Sequence, residues 1–172
     1  MSKIKKYVQD LLANPITPFD IDDQKLIKLF SFFLHTAPRI SSNRAMPIND
    51  IRLMANWNNF ITDLGNDAYQ FVATTYPKSI ASLYENYHLA STSELRRRAR
   101  GFVCRKKYKD ELNVVCLLRH IRNAIAHGNV YYLNAGNRKF ILFEDFNEKS
   151  KPTARILFSQ TDLKKLKDAL LR

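Results

Sequence analysis

Within RHIRNAIAHG, residues 119–128, two arginines, an asparagine and two histidines alternate with small and branched apolar residues. An arginine fork can hold and neutralise a phosphate through two parallel hydrogen bonds. An imidazole exchanges protons near neutral pH, with a ribose 2′-hydroxyl or a leaving oxygen among its partners. Arg122 and His127 together therefore suit phosphodiester chemistry on RNA without a metal ion. Asn123 adds a carboxamide between them, and Arg119 adds a second guanidinium one turn earlier.

The helix that carries these groups is expected from about Asp110 to His127. At roughly 100° per residue, Val114, Leu117, Leu118, Ile121 and Ile125 fall in one arc, the core face. Arg119, Arg122, Asn123 and His127 fall on the other side, continuing an apolar strip begun by Leu112 and Cys116 that a partner could cover. Arg122 and His127, five residues apart, sit about 140° from each other and flank a shared face. Gly128 stands where a left-handed cap closes a helix. The bland alternative pairs the arginine with a carboxylate and leaves the histidine capping carbonyls at the negative end of the helix dipole.

Upstream, Arg96, Arg97, Arg98, Arg100, Arg105, Lys106, Lys107 and Lys109 gather eight cations before this helix. They are either an RNA-backbone track or a solvated face. Elsewhere the chemistry is sparse. Cys104 and Cys116 are too few for a disulfide framework and read as reduced core thiols. His35, His88 and His120 are scattered and make no metal-ligand set. Glu144 and Asp145 are neighbours on an expected strand, so they point to opposite faces and cannot share a metal. No glycine-rich phosphate loop is present, and no cofactor is expected.

Helical signals dominate the first part of the chain. A short helix over residues 3–12 precedes Pro15 and Pro18. Asp20 can cap a helix through Leu26, Leu29, Phe30 and Phe33 that stops at Pro38. Asn49 can cap a long helix on which Trp57, Phe60, Ile61, Leu64, Ala68 and Phe71 form one stripe. Pro77 closes or kinks it into a continuation through Ile80, Leu83, Tyr84 and Tyr87. Ser91 with Glu94 has capping-box spacing for a helix containing Arg96 to Arg100. After Gly128 the period changes: NVYYL at 129–133 and KFILF at 139–143 read as a hairpin, with RILF at 155–158 a candidate third strand. Aromatics in these runs are assigned to packing. Ser159 and Asp162 cap a last helix.

The expected fold class is therefore mainly α, an up-and-down bundle over 1–130, with a small β-hairpin and terminal helix over 131–172 appended to the same domain. With 172 residues and 45% hydrophobic composition, one sizeable core is within reach. A net charge of +12 makes polyanions, nucleic acid first, the expected partners. No run approaches the ~20 apolar residues of a membrane span, and MSKIKKYVQD lacks the apolar core of a signal peptide. The expected location is the cytoplasm.

Arg122-Asn123-Ala124-Ile125-Ala126-His127 resembles the signature of the HEPN superfamily: an arginine, a polar residue after it, and a histidine several positions on. The wider wording LRHIRNAIAHGNVYYL resembles bacterial members associated with toxin or phage-defence roles. Helix count and order fit this likeness over about residues 20–130. The resemblance implies a bundle that dimerises, bringing two motifs to one cleft, and metal-independent endoribonuclease activity in many members. Carried onto this chain, Arg122 binds or polarises the scissile phosphate, Asn123 orients substrate or histidine, and His127 is the acid/base group. RNA, a second copy of the chain and an antitoxin or regulatory protein are the partners implied. Members paired with a nucleotidyltransferase antitoxin carry a tyrosine two residues after the histidine. Asn129 stands there instead, with tyrosines only at 131 and 132, so regulation through that tyrosine is not expected. The alternatives are a catalytically silent RNA- or protein-binding module and the immunity half of a two-component system.

Overall fold

The computed structural model describes residues 14–37, 51–76, 80–87, 89, 100–135 and 137–171. Six strands form one mixed sheet: β1 Asn14–Ile16, β2 Tyr69–Ala73, β3 Gly101–Arg105, β4 Val130–Ala135, β5 Arg138–Phe146 and β6 Pro152–Ser159, in the order β1-β4-β5-β6-β3-β2. Only β2 and β3 run parallel; the other pairs are antiparallel. The α-helices among the described residues are α1 Gln24–Ser31, continued by a π-helical turn Phe32–Thr36, α2 Ile51–Leu64, α3 Ile80–Asn86, α4 Asn113–His127 and α5 Gln160–Leu170.

This corrects the expectation of a mainly α bundle with a small appended hairpin. The C-terminal strands are the middle of the sheet. β5 and β6 read as nearly continuous apolar runs because both of their faces are covered. Phe143, Ile141, Ile156 and Phe158 face a core shared with α1, α2, α4 and α5. Phe140, Leu142 and Leu157 face a smaller core with Leu83, Tyr84 and Leu89, the first two of these on α3.

Two segments account for the misreading. The stripe extrapolated to Ala68 and Phe71 ends at Leu64, where Gly65 takes φ 93°, and the aromatic and β-branched run after it is strand β2. Arg100, expected inside a helix, is not helical, and the φ of 138° at Gly101 lets β3 lie directly against the backbone of Tyr69. A Cβ there would collide with the Tyr69 carbonyl. Tyr69 N–H in turn donates to the Arg100 carbonyl.

Other expectations hold. Ile80–Asn86 is a helix, and the 130–146 hairpin forms with RILF inside a third strand. Asp23, not Asp20, caps α1 by accepting from Leu26 N–H. Ser159 and Asp162 form the reciprocal capping box of α5. The helix expected over 3–12, the Pro38, Asn49 and Pro77 signals, and the Ser91/Glu94 box lie outside the described residues. No helix among the described residues is long and apolar enough to cross a membrane.

Candidate functional site

Helix α4 lies on the sheet against β5 and β3, with the π-helical turn alongside. Its arc of Val114, Leu117, Leu118, Ile121 and Ile125 is buried as expected. Burial extends further round, however, to Val115, Cys116, His120 and Ala124. A helix covered on so much of its surface needs its polar groups satisfied internally.

One network does this. His120 is buried, with Nδ1 donating to the Asp145 carboxylate at 2.7 Å and Nε2 donating to the Arg105 carbonyl at 2.8 Å. Both neighbours are acceptors, so the ring is satisfied only when both nitrogens carry protons. Burial alone would lower the basicity of this imidazole. The bonds to Asp145 and Cys116 outweigh it and raise its pKa. Asp145 moves oppositely: burial pushes its carboxyl up, but hydrogen bonds from His120, Asn123 and Phe146 N–H bring the net shift below the usual range.

The Arg105 carbonyl, at the end of β3, also receives Arg119 Nη2 at 3.0 Å and the Cys116 thiol at 3.5 Å. Arg119 is further held by Glu111, with Nε and Nη2 at 2.8 and 3.0 Å from its two carboxylate oxygens. Both cysteines are buried free thiols. Hydrogen bonding with Cys104 and the His120 ring, against burial, lowers the Cys116 thiol from its ordinary range.

The motif residues divide around this network. Asn123 Nδ2 donates to Asp145 at 3.0 Å, so its carboxamide ties α4 to β5. Arg122 is half-buried and its Nη2 lies 3.5 Å from the Ala37 carbonyl, just past the π-helical turn. His127, the last residue of α4, is exposed. Gly128 caps the helix at φ 71°, ψ 19°, and its N–H reaches back to the Ala124 and Ile125 carbonyls. The chain turns away into β4 there.

Of the expected RNA-contacting arginines, Arg119 is engaged by Glu111. Arg100 is engaged by Asp162 in a two-bond pair at 2.9 Å each, and by the Leu64 carbonyl. Arg96, Arg97 and Arg98 lie outside the described residues. Glu144 and Asp145 do point to opposite faces: Asp145 to His120, Glu144 to the buried Arg155 at 2.8 Å. No group of His, Cys, Asp and Glu that could hold a metal ion occurs among the described residues.

Sequence reasoning missed His120, Asp145 and Glu111 as a working set. A signal existed: His120 is four residues after Cys116 on the buried flank of an apolar helix, where an ionisable group demands a partner. Comparison with protein families matches residues 54–172 to the family described as HEPN pEK499 p136. Comparison with curated proteins and with solved structures found no match.

Proposed function

The chain belongs to the HEPN pEK499 p136 family, whose match spans more than half its length, and on that premise we propose that it is a metal-independent endoribonuclease. HEPN domains are commonly ribonuclease-like. The observation that carries the reading is the pairing, on the last turns of one rigidly seated helix, of a half-buried Arg122 with an exposed His127. One guanidinium nitrogen lies 3.5 Å from the Ala37 carbonyl, and the imidazole is open to a ligand.

In this reading Arg122 neutralises the scissile phosphate. The ribose 2′-oxygen attacks phosphorus, its proton passes to a base, and the bond to the 5′-oxygen breaks as that oxygen gains a proton. The products are a 2′,3′-cyclic phosphate and a 5′-hydroxyl. His127 supplies one of the two proton transfers, and a second copy of the chain brings a second His127 for the other. Asn123 acts through Asp145, holding the helix so that Arg122 and His127 keep their relative setting. A toxin or phage-defence role, with a regulatory partner restraining the activity, fits a nuclease of this kind.

The test is incubation of mixed RNA in EDTA with the wild type, Arg122→Ala and His127→Ala proteins, with product ends analysed. Wild-type cleavage leaving cyclic phosphate, lost in both variants while circular dichroism stays unchanged, is the expected result. Cleavage surviving both substitutions, or none by the wild-type dimer, overturns the reading.

A further inference from the structure

Helices α1 and α5 pack side by side, and with Tyr132 and the first residues of β5 they enclose a cleft of about 1600 Å³. Eight lysines and arginines line it against four aspartates. Two of those aspartates are consumed internally: Asp23 accepts from Lys139 at 2.7 Å, and Asp162 from Arg100 at 2.9 Å. Against the remaining Asp22 and Asp168 stand Lys25, Lys28, Arg138, Lys164, Lys165 and Lys167, none in an ion pair among the described residues, the last with its Nζ 5.5 Å over the Phe32 ring.

Like charges three residues apart on a helix repel, and here Lys25 with Lys28 and Lys164 with Lys167 repeat that spacing on two adjacent helices. A single phosphate would meet only part of this array. A chain of phosphates meets all of it, and the half-buried ring of Tyr132 offers a base a stacking surface.

The cleft is also close to the motif along the chain. Tyr132 follows His127 by five residues through the start of β4, so chain reach limits their Cα separation to about 18 Å. A strand of a few nucleotides spans that.

We propose that the α1/α5 cleft docks the phosphodiester backbone of single-stranded RNA. This rests on the ribonuclease reading for the fate of the docked strand, but not for the docking itself. The two are separated by measuring binding with a strand that cannot be cleaved.

A labelled 2′-O-methyl oligonucleotide of about twelve nucleotides serves as the probe, read by fluorescence anisotropy across a salt series. The full chain is compared with Lys25→Ser/Lys28→Ser/Lys164→Ser/Lys165→Ser, all exposed positions. The charge-matched control sets Lys149→Ser/Lys151→Ser, equally exposed, outside the cleft and outside the basic run before α4, against the cleft pair Lys164→Ser/Lys165→Ser. Each phosphate contact in a single strand contributes about 0.7 to the slope of log affinity against log salt, so the cleft variant should lose about 2 to 3 of slope and bind at least roughly tenfold more weakly at low salt. The control should keep most of both.

Equal losses in the two matched pairs would mean that net charge alone drives binding, and would overturn the cleft. So would unchanged binding by the cleft variant, or wild-type binding to phosphatidylserine vesicles but not to the oligonucleotide. Cleft-dependent binding by a wild-type protein that fails to cleave RNA would sustain the docking site and remove the nuclease.

Discussion

Asp145→Asn tests whether the His120 network seats the motif helix. In the wild type both carboxylate oxygens accept: Oδ1 from Phe146 N–H at 3.0 Å, Oδ2 from His120 Nδ1 at 2.7 Å and Asn123 Nδ2 at 3.0 Å. A carboxamide turned either way points its NH₂ at a donor. The His120 and Asp145 side chains are 1% and 5% exposed, so solvent cannot compensate. Breaking a buried pair from one side costs about 3–5 kcal/mol, against ~0–1 for an exposed pair. At roughly 2–4 °C per kcal/mol for a chain of this size, Tm should fall by about 6–20 °C.

The pH dependence carries a sign. His120 is raised above its ordinary 6.5, so its contribution is fully present below 6.5 and is lost as pH rises through the folded-state value. Asp145 is lowered below its ordinary 3.8, so its contribution is present above 3.8 and is lost as pH falls through the folded value. The difference between wild type and Asp145→Asn should therefore be greatest between those ordinary values. It should shrink on the alkaline side by at most about 1.4 kcal/mol per pH unit, the linkage limit for one proton. Urea unfolding followed through the single tryptophan, the buried Trp57, measures it at each pH. Subtracting the variant reduces the background from Glu111, Arg119 and Cys116, which face the same cluster. A difference below ~1 kcal/mol at pH 6, or one that grows from pH 6 to 9, would refute the imidazolium–carboxylate account.

Gly101→Ala should prevent β3 from pairing with β2, costing several kcal/mol and leaving little soluble protein; recovery of a stable fold with native Tm would contradict the close approach to Tyr69. Ser159→Ala removes the hydroxyl that accepts from Asp162 N–H and should lower stability by about 0.5–2 kcal/mol, measured by urea denaturation.

The sequence revealed α4 well because a helix buried along a stripe prints its own period: the five residues of its predicted arc are all buried. The capping box and Gly128 were equally legible, since caps are local chemistry. Strand pairing was not. β3 is a short run, GFVCR, whose partners Tyr69–Ala73 and Ala154–Leu157 lie far away in sequence, and no local pattern names them. KFILF did carry a clue that an appended hairpin would not need, an unbroken apolar run, which signals a strand covered on both faces. At the site, motif spacing located Arg122 and His127 but could not show that Asn123 turns toward Asp145. That depends on the sheet beneath the helix, and so on the part of the fold that was misjudged.

The order of the sheet also sets a schedule. β1, β2 and β3 are made early, yet each borders the sheet's centre only through β4 or β6, and β5 and β6 come last. Sheets closed by such distant pairings form late and slowly, because loop entropy is spent before contacts return it. On a ribosome, α4 with its arginine and histidine emerges after β3 but before β5 and its Asp145 exist. The motif helix is therefore seated on β5 only when that strand arrives, late in synthesis.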